Sequence, residues 1–159
     1  MQILIIFVAS ILIWIMFLIV PWLWWKGLKQ TAGHIFLAST VAWFLSQTIK
    51  YLFYIPRPYI AGHLEAIVLR APTDGTFPSS HAAAAFALAT VVWLYRKDWG
   101  LVAILLATAI GVARVLSHVH YPIDIVGGAI LGIGVALTTQ RLSKETVARI
   151  LIKEKGNSK

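Results

Sequence analysis

Polar and charged residues stand at the ends of long apolar stretches in this sequence, and most of them have side chains suited to phosphate chemistry. The set comprises Lys50, Arg57, Ser79, Ser80, His81, Arg114, His120 and Asp124. Its three cations supply positive charge, and a guanidinium group can bind a tetrahedral oxyanion through two parallel hydrogen bonds. These residue types therefore predict a site for a phosphate group.

His120 and Asp124 are spaced like a nucleophile and the carboxylate that orients it. They are four residues apart in the sequence, which is about one helical turn, so Asp124 can accept a hydrogen bond from one imidazole nitrogen. The other nitrogen is then unprotonated and able to attack phosphorus. His81, which belongs to another segment, is predicted to protonate the departing oxygen and then to activate water.

The start of the predicted helix after Pro78 adds hydrogen-bond donors. Ser79 and Ser80 lie there, where the first amide groups and the positive end of the helix dipole favour an anion. The scheme requires no metal or other cofactor, because the cations can neutralise the charge that develops on the phosphate oxygens. The alternative is a metal site built from His81, His118, His120 and Asp124.

The apolar stretches that carry these residues predict membrane-spanning helices. Of the 159 residues, 59% are hydrophobic and 13% are charged, and the mean hydropathy is +0.80, which is far from the composition of a soluble domain. A bilayer core takes about 20 helical residues. We therefore expect one all-α membrane domain over residues 1–159, with about five spans near residues 3–25, 35–54, 82–95, 99–116 and 123–139.

Positive charge is distributed unevenly between the two ends of these spans. Four cations, Lys50, Arg57, Arg70 and Arg114, fall on one side, and the other ten fall on the opposite side. The positive-inside rule therefore puts the predicted site on the extracytoplasmic face of the cytoplasmic membrane. Residues 141–159 are expected to form an amphipathic cytoplasmic helix on anionic headgroups. Topology thus accounts for most of the net charge of +8, and no nucleic-acid partner is expected.

Three further features carry predictions about packing. Gly128 and Gly132 form a GxxxG motif, which favours packing within the bundle and leaves a dimer open. Residues 60–70 are expected to form a short interfacial helix, which either roofs the site or merely connects spans. Trp14 and Trp43 fall in mid-span and are interpreted as packing residues. Arg114 has one structural alternative to phosphate binding, an ion pair with Asp124.

The spacing of the site residues resembles the three-part signature of the type 2 phosphatidic acid phosphatase family. The three parts are Lys50-x6-Arg57-Pro58, Pro78-Ser79-Ser80-His81 and Arg114-x5-His120-x3-Asp124, within residues 50–128. The resemblance implies that His120 is the nucleophile, Asp124 its charge-relay partner and His81 the acid for the leaving group. It also implies that phosphate is held by Lys50, Arg57, Arg114, Ser79 and Ser80.

Two positions depart from the family pattern. Ala113 stands where the family usually has serine, which removes one expected phosphate donor, and Ser80 stands where glycine is frequent. The Ala113 departure is expected to weaken phosphate binding, but it does not affect the nucleophile, its relay partner or the acid.

The resulting expectation is a metal-independent lipid phosphate or diphosphate phosphatase that works through a phosphohistidine. An outward-facing site suits hydrolysis of undecaprenyl diphosphate to undecaprenyl phosphate and phosphate, a step of cell-wall biogenesis. Phosphatidylglycerol phosphate and phosphatidic acid are the alternative substrates. A non-catalytic protein that binds or transports anions or lipid headgroups is the alternative of another class. The His120 and Asp124 pair argues against it, because simple anion binding does not need that pair.

Overall fold

Helices make up all the regular secondary structure that the computed structural model describes, which is the backbone of residues 1–157 and the side chains of residues 1–143. The elements are α1 (Gln2–Ser10), α2 (Leu12–Phe17), α3 (Ile19–Trp25), α4 (Lys29–Leu52), α5 (Pro58–Ala61), α6 (Ser80–Tyr95), α7 (Lys97–Leu116) and α8 (Pro122–Asn157). The all-α fold class is confirmed, and helices lie at all five predicted spans.

The predicted spans differ in how well they could cross a bilayer by themselves. Among the described residues, Lys97–Leu116 and Pro122–Ser143 are each long and apolar enough to do so. The first predicted span is bent by 40° between Gln2–Ser10 and Leu12–Trp25, and it counts as a third if the bent pair is one span. The helix α6 is apolar but has only 16 residues, whereas α4 has 24 residues but includes polar side chains such as Gln47 and Lys50.

The helix α6 lies at the centre of the bundle, with α4, α7 and α8 packed against it. Its alanines are buried, and small side chains of this kind let neighbouring backbones approach closely. A Cβ atom built on Gly132 of α8 would lie 2.2 Å from the Ala83 carbonyl oxygen, and one built on Gly128 would lie 2.5 Å from the Ser79 carbonyl oxygen. Both glycines of the GxxxG motif therefore lie against the backbone of the segment that begins and forms α6.

This close approach predicts unequal effects of alanine at two glycines of α8. Gly132→Ala is expected to lower the free energy of unfolding by about 1–3 kcal/mol, because the added methyl group meets backbone atoms. Gly134→Ala is the matched control, because no atom lies within 4 Å of its added Cβ. Thermal unfolding in detergent measures both variants, and equal shifts of Tm would contradict the packing described here.

Aromatic and basic side chains gather at the end of the bundle where α3 turns into α4 and α6 into α7. The Trp22 and Trp99 rings stack with their centroids 5.1 Å apart. Tryptophan rings also lie beneath the cationic groups of Lys26, Lys29, Arg96 and Lys97. The opposite end holds the termini of α4 and α7 and the starts of α6 and α8. The predicted site residues therefore lie at the end of the bundle opposite to these aromatic and basic side chains.

The connection between α5 and α6 is not the interfacial helix predicted for residues 60–70. The helix α5 ends at Ala61, and residues 62–79 are irregular. Their backbone amides find partners on other segments: the Ile67 amide donates to the Ser117 carbonyl at 3.1 Å, and the Leu69 amide to the Ser10 hydroxyl at 3.4 Å. The connection therefore packs against the α7–α8 turn and the end of α1.

The predicted cytoplasmic tail is continuous with the last span. The helix α8 runs without a break from Pro122 to Asn157. The side chains of residues 144–159 lie outside the described part of the chain, as do the last two residues altogether. The amphipathic contact of residues 141–159 with headgroups stays a prediction.

Candidate active site

The three sequence motifs meet at one end of the bundle. Lys50 lies in the last turn of α4, Arg57 precedes α5, Ser80 begins α6, and Arg114 lies in the last turn of α7. His120 precedes α8, and Asp124 lies in its first turn. All the predicted site residues are buried except His81, which is half-buried. The structure therefore brings together residues that the sequence separates by up to 74 positions.

The His120 ring is held between groups of opposite hydrogen-bonding character. Its Nδ1 atom lies 3.3 Å from Asp124 Oδ2, and its Nε2 atom lies 3.2 Å from Arg57 Nη1. A carboxylate only accepts and a guanidinium only donates. Neutral His120 is therefore protonated on Nδ1, and the lone pair of Nε2 faces the cations.

Burial lowers the pKa of the His120 imidazole to about 3. The hydrogen bond with Asp124 opposes this shift, whereas the positive charges of Arg114, Arg57 and Lys50 add to it. His120 is therefore neutral at physiological pH, which is the state in which its nitrogen lone pair is available for attack.

Asp124 is held by several donors. Its Oδ2 atom accepts hydrogen bonds from the Tyr121 amide at 2.7 Å and from the Thr76 hydroxyl, besides its contact with His120. Arg114 does not form the ion pair with Asp124 that was the structural alternative. Its Nη1 atom donates instead to the Ala9 carbonyl at 3.2 Å.

Arg57 has no spare donor in this structure. A guanidinium carries five N–H groups, and the five observed acceptors are Asp74 O (2.9 Å), Asp74 Oδ1 (2.8 Å), Gly75 O (3.0 Å), Val119 O (2.7 Å) and His120 Nε2 (3.2 Å). Arg57 therefore holds the connection and the α7–α8 turn together. It can bind a phosphate only after it releases one of these partners.

Asp74 is a site residue that the sequence motifs missed. Its carboxylate pairs with Lys50 Nζ at 3.3 Å and with Arg57 Nη2 at 2.8 Å, and its side chain is 40% exposed. Burial by itself raises the pKa of Asp74, but the charges of Lys50 and Arg57 outweigh it and hold the pKa below its ordinary value. One feature of the sequence could have pointed to Asp74: it is an acidic residue in the connection that follows two of the site cations.

Free donors remain at two other places. Arg114 is 5% exposed, and its Nε atom is buried without a hydrogen-bond partner, a situation that costs about 1–3 kcal/mol unless a ligand supplies an acceptor. The hydroxyl of Ser79 caps α6 by accepting from the Ala82 amide at 3.4 Å, and that of Ser80 donates to Gln47 Oε1 at 3.0 Å. The amides of Ser80 and His81 have no partner within the helix.

An apolar groove leads away from Ser80 and His81, between the first span and α4. It has a volume of about 480 Å³, and its apolar walls include Trp14, Phe17, Phe36 and Trp43. Trp14 and Trp43, interpreted from the sequence as mid-span packing residues, form part of these walls. Both side chains are exposed along the groove, by 69% and 47% respectively.

The alternative metal site is not assembled. His118 Nδ1 turns away to the Glu65 carbonyl oxygen at 3.0 Å. Over the part of the chain whose side chains are described, no three His, Asp or Glu residues are arranged to hold a metal ion.

The sequence signature of a known family covers this whole site. The family model described as PAP2 superfamily matches residues 31–147. The chain belongs to the PAP2 superfamily. Membership of this family agrees with the helical, membrane-embedded architecture described above.

Individual relatives of this PAP2 protein share part or most of its length. One relative is YbjG of Escherichia coli (strain K12), which is named provisionally as an undecaprenyl-diphosphatase. It is 33% identical over 139 residues, which cover 85% of this chain and 70% of YbjG. The bacitracin transport permease protein BcrC of Bacillus licheniformis is 41% identical over 64 residues, covering 40% of this chain and 32% of BcrC. The match therefore spans about a third of BcrC.

A solved structure shares the fold. The crystal structure of LpxE from Aquifex aeolicus superimposes with a TM-score of 0.69 at 29% sequence identity, covering 80% of this chain and 77% of LpxE. The helical arrangement described above is thus also found in a crystal structure.

Proposed function

We propose that this PAP2 protein hydrolyses undecaprenyl diphosphate to undecaprenyl phosphate and phosphate on the extracytoplasmic face of the cytoplasmic membrane. The observation that carries the proposal is the orientation of His120, whose Nε2 lone pair faces the cations while Asp124 accepts from Nδ1. The nitrogen atom that can act as the nucleophile therefore lies next to the cations that can bind an anion. A protein that only binds anions needs no oriented imidazole.

The proposed reaction has two displacements at phosphorus. In the first, Nε2 of His120 attacks the terminal phosphorus, so that a P–N bond forms and the P–O bond to the leaving group breaks, while His81, protonated in the complex with the anionic substrate, gives its proton to the departing oxygen. In the second, neutral His81 takes a proton from water, whose oxygen attacks phosphorus and breaks the P–N bond. Phosphate leaves, and both histidines return to their starting states.

Phosphate binding is assigned to the cations and to the start of α6. Arg114 supplies its unpartnered Nε–H, and Lys50 uses only part of its three N–H groups on Asp74. Arg57 joins them after exchanging a partner. Because their hydroxyls are engaged, Ser79 and Ser80 contribute chiefly by starting α6, whose first amides have no partner within the helix.

The apolar groove supports a lipid substrate. A chain of hydrocarbon lying against Trp14, Phe36 and Trp43 would leave its phosphate group beside Ser80 and His81. A diphosphate also releases a phosphate monoester, which is a better leaving group than a lipid alkoxide. Such a substrate tolerates the missing hydroxyl at Ala113. The name of the relative YbjG favours the same substrate.

The proposed orientation can be tested because the sequence contains no cysteine. In intact cells, Gly62→Cys is expected to react with a membrane-impermeant maleimide, whereas Ser143→Cys is expected to react only after permeabilisation. This result follows from the excess of cations at the end of the bundle away from the site. Reaction of both cysteines from the same side would contradict the orientation.

Release of phosphate from defined lipids tests the activity and the substrate together. Purified protein in detergent is expected to show its highest kcat/KM with undecaprenyl diphosphate, compared with phosphatidylglycerol phosphate and phosphatidic acid. Activity is expected to persist in EDTA, because Lys50, Arg57 and Arg114 carry the compensating charge. Preference for another of the three lipids would overturn the substrate, and release from none of them would overturn the activity.

The ion pairs of Asp74 predict that a variant without this carboxylate binds phosphate more tightly. Its carboxylate occupies Lys50 and Arg57, so a phosphate must compete with it for these cations. Removing the charge in Asp74→Asn is expected to lower the inhibition constant for orthovanadate by about fivefold, the equivalent of a partly exposed ion pair of about 1 kcal/mol.

Asp98→Asn is the matched control for Asp74→Asn. Asp98 is an exposed acid at the opposite end of the bundle, so its loss is expected to leave orthovanadate inhibition unchanged. Weaker inhibition of the Asp74→Asn protein would mean that Asp74 serves mainly to hold Arg57 in place.

A further inference from the structure

Thr76 lies fully buried between two groups that the proposed reaction uses, and no sequence motif singled it out. Its Oγ1 atom is 3.2 Å from His120 Nδ1 and donates a hydrogen bond to Asp124 Oδ2. We infer that Thr76 is a positioning residue, which orients Asp124 and holds His120 in the tautomer that leaves Nε2 unprotonated and able to attack. The inference rests on the proposed phosphatase function.

The Thr76 hydroxyl group has a single proton to donate. Asp124 carries a carboxylate, which only accepts, so the Thr76 proton points to Asp124. The oxygen of Thr76 then presents a lone pair to His120 Nδ1, which must itself be the donor. Arg57 Nη1 donates to the other ring nitrogen, Nε2. The contacts of both ring nitrogens therefore specify the same tautomer.

The position of Thr76 is fixed by its neighbours in the connection. Its amide donates to the Ile55 carbonyl at 2.9 Å. The ring of Phe77 lies so close to Gly127 of α8 that a Cβ atom there would come within 2.4 Å of it. Two residues further on, the Ser79 amide donates to the Asp124 carbonyl at 3.0 Å. The connection is thus attached to the helix that carries Asp124, on the side that faces His120.

A purely structural role for Thr76 makes different predictions from a positioning role. Valine has nearly the same shape as threonine but lacks the hydroxyl, so Thr76→Val keeps the packing and removes both hydrogen bonds. Serine keeps the hydroxyl but lacks the methyl group, so Thr76→Ser does the reverse. If packing is what counts, Thr76→Ser is the more damaging substitution; if positioning counts, Thr76→Val is.

The first experiment is a steady-state assay of phosphate release from undecaprenyl diphosphate by both variants. Thr76→Val is expected to lower kcat by about 10- to 100-fold, the effect of losing a hydrogen bond to a charged group, with little change in KM. Thr76→Ser is expected to stay close to wild type. Unchanged kcat in Thr76→Val, or equal impairment of the two variants, would overturn the inference.

The second experiment reads the tautomer directly. In ¹⁵N-histidine-labelled protein, the nitrogen chemical shifts of His120, identified by their loss in His120→Asn, are expected to report protonated Nδ1 in wild type and in Thr76→Ser. Thr76→Val is expected to show a mixture of tautomers. An unchanged Nδ1–H tautomer in Thr76→Val would overturn the inference.

Two further arms keep the test decisive. If Thr76→Val does not fold, Thr76→Cys replaces it, because a thiol is of similar size but a weak donor; wild-type kcat in Thr76→Cys would contradict the inference. If wild-type protein releases no phosphate from any lipid, the proposed function fails. The tautomer of His120 still tests Thr76 in that case, since its measurement needs no substrate.

Discussion

The His120→Asn protein is expected to release phosphate at least about 10⁴-fold more slowly than wild type, because removing a nucleophile leaves only binding and electrostatic stabilisation. It is also expected to form no phosphoprotein when it is mixed with ³²P-labelled undecaprenyl diphosphate and quenched in alkali, in which phosphohistidine survives. Wild-type protein quenched in the same way is expected to carry label on His120.

His118→Asn is the matched control for the loss of His120. The two histidines are two positions apart, but the His118 ring turns away to the Glu65 carbonyl. His118 has a φ of 59°, a conformation that asparagine tolerates, so the substitution is expected to leave folding and activity unchanged. Substantial turnover by His120→Asn, with the same fold as wild type, would refute a phosphohistidine at this position.

The His81→Asn protein is expected to lose about 10²- to 10⁴-fold in kcat, the usual contribution of a general acid and base. The loss of kcat/KM, which reports the first displacement, is expected to be larger for phosphatidic acid than for undecaprenyl diphosphate. An alkoxide needs the proton from His81 more than a phosphate monoester does. With the diphosphate, labelled phosphoenzyme is expected to accumulate, because the second displacement also needs His81 to activate water.

His63→Asn is the corresponding control. His63 is an exposed residue of the connection with a φ of 51°, which asparagine again adopts readily. A loss of kcat/KM of the same size for both substrates in His81→Asn would argue that His81 supports the start of α6 and not the leaving group. The comparison of two leaving groups thus separates chemistry from structure.

Local sequence patterns predicted the elements well because helices are built from neighbouring residues. The third and fourth spans begin two residues earlier than predicted, at Ser80 and Lys97, and end at the predicted positions. The first span was predicted as one helix, but the structure bends it by 40° near Ile11. Uninterrupted apolar composition contains no signal for such a bend, which depends on what the two halves pack against.

The irregular connection of residues 62–79 was predicted least well. It contains glycine and proline and lacks helical periodicity, so the expected interfacial helix had only scattered apolar residues in its favour. Its functional contacts link distant positions: Thr76 meets His120 and Asp124 across 44 and 48 residues. No local pattern encodes such a contact, and Asp74 was missed for the same reason.

Composition by itself predicted a helical membrane protein, and the three motifs, through their resemblance to a known family, identified the residues gathered at one end of its helices. These features are local, since hydropathy, helical spacing and motif order are read along the chain. Tertiary structure alone decided how the side chains are used: Arg57 is saturated, Arg114 keeps a free donor, and Thr76 and Asp74 join the site. These hydrogen bonds form only when segments that are distant in the sequence meet in the fold. A sequence motif therefore does not show which of its donors remain free.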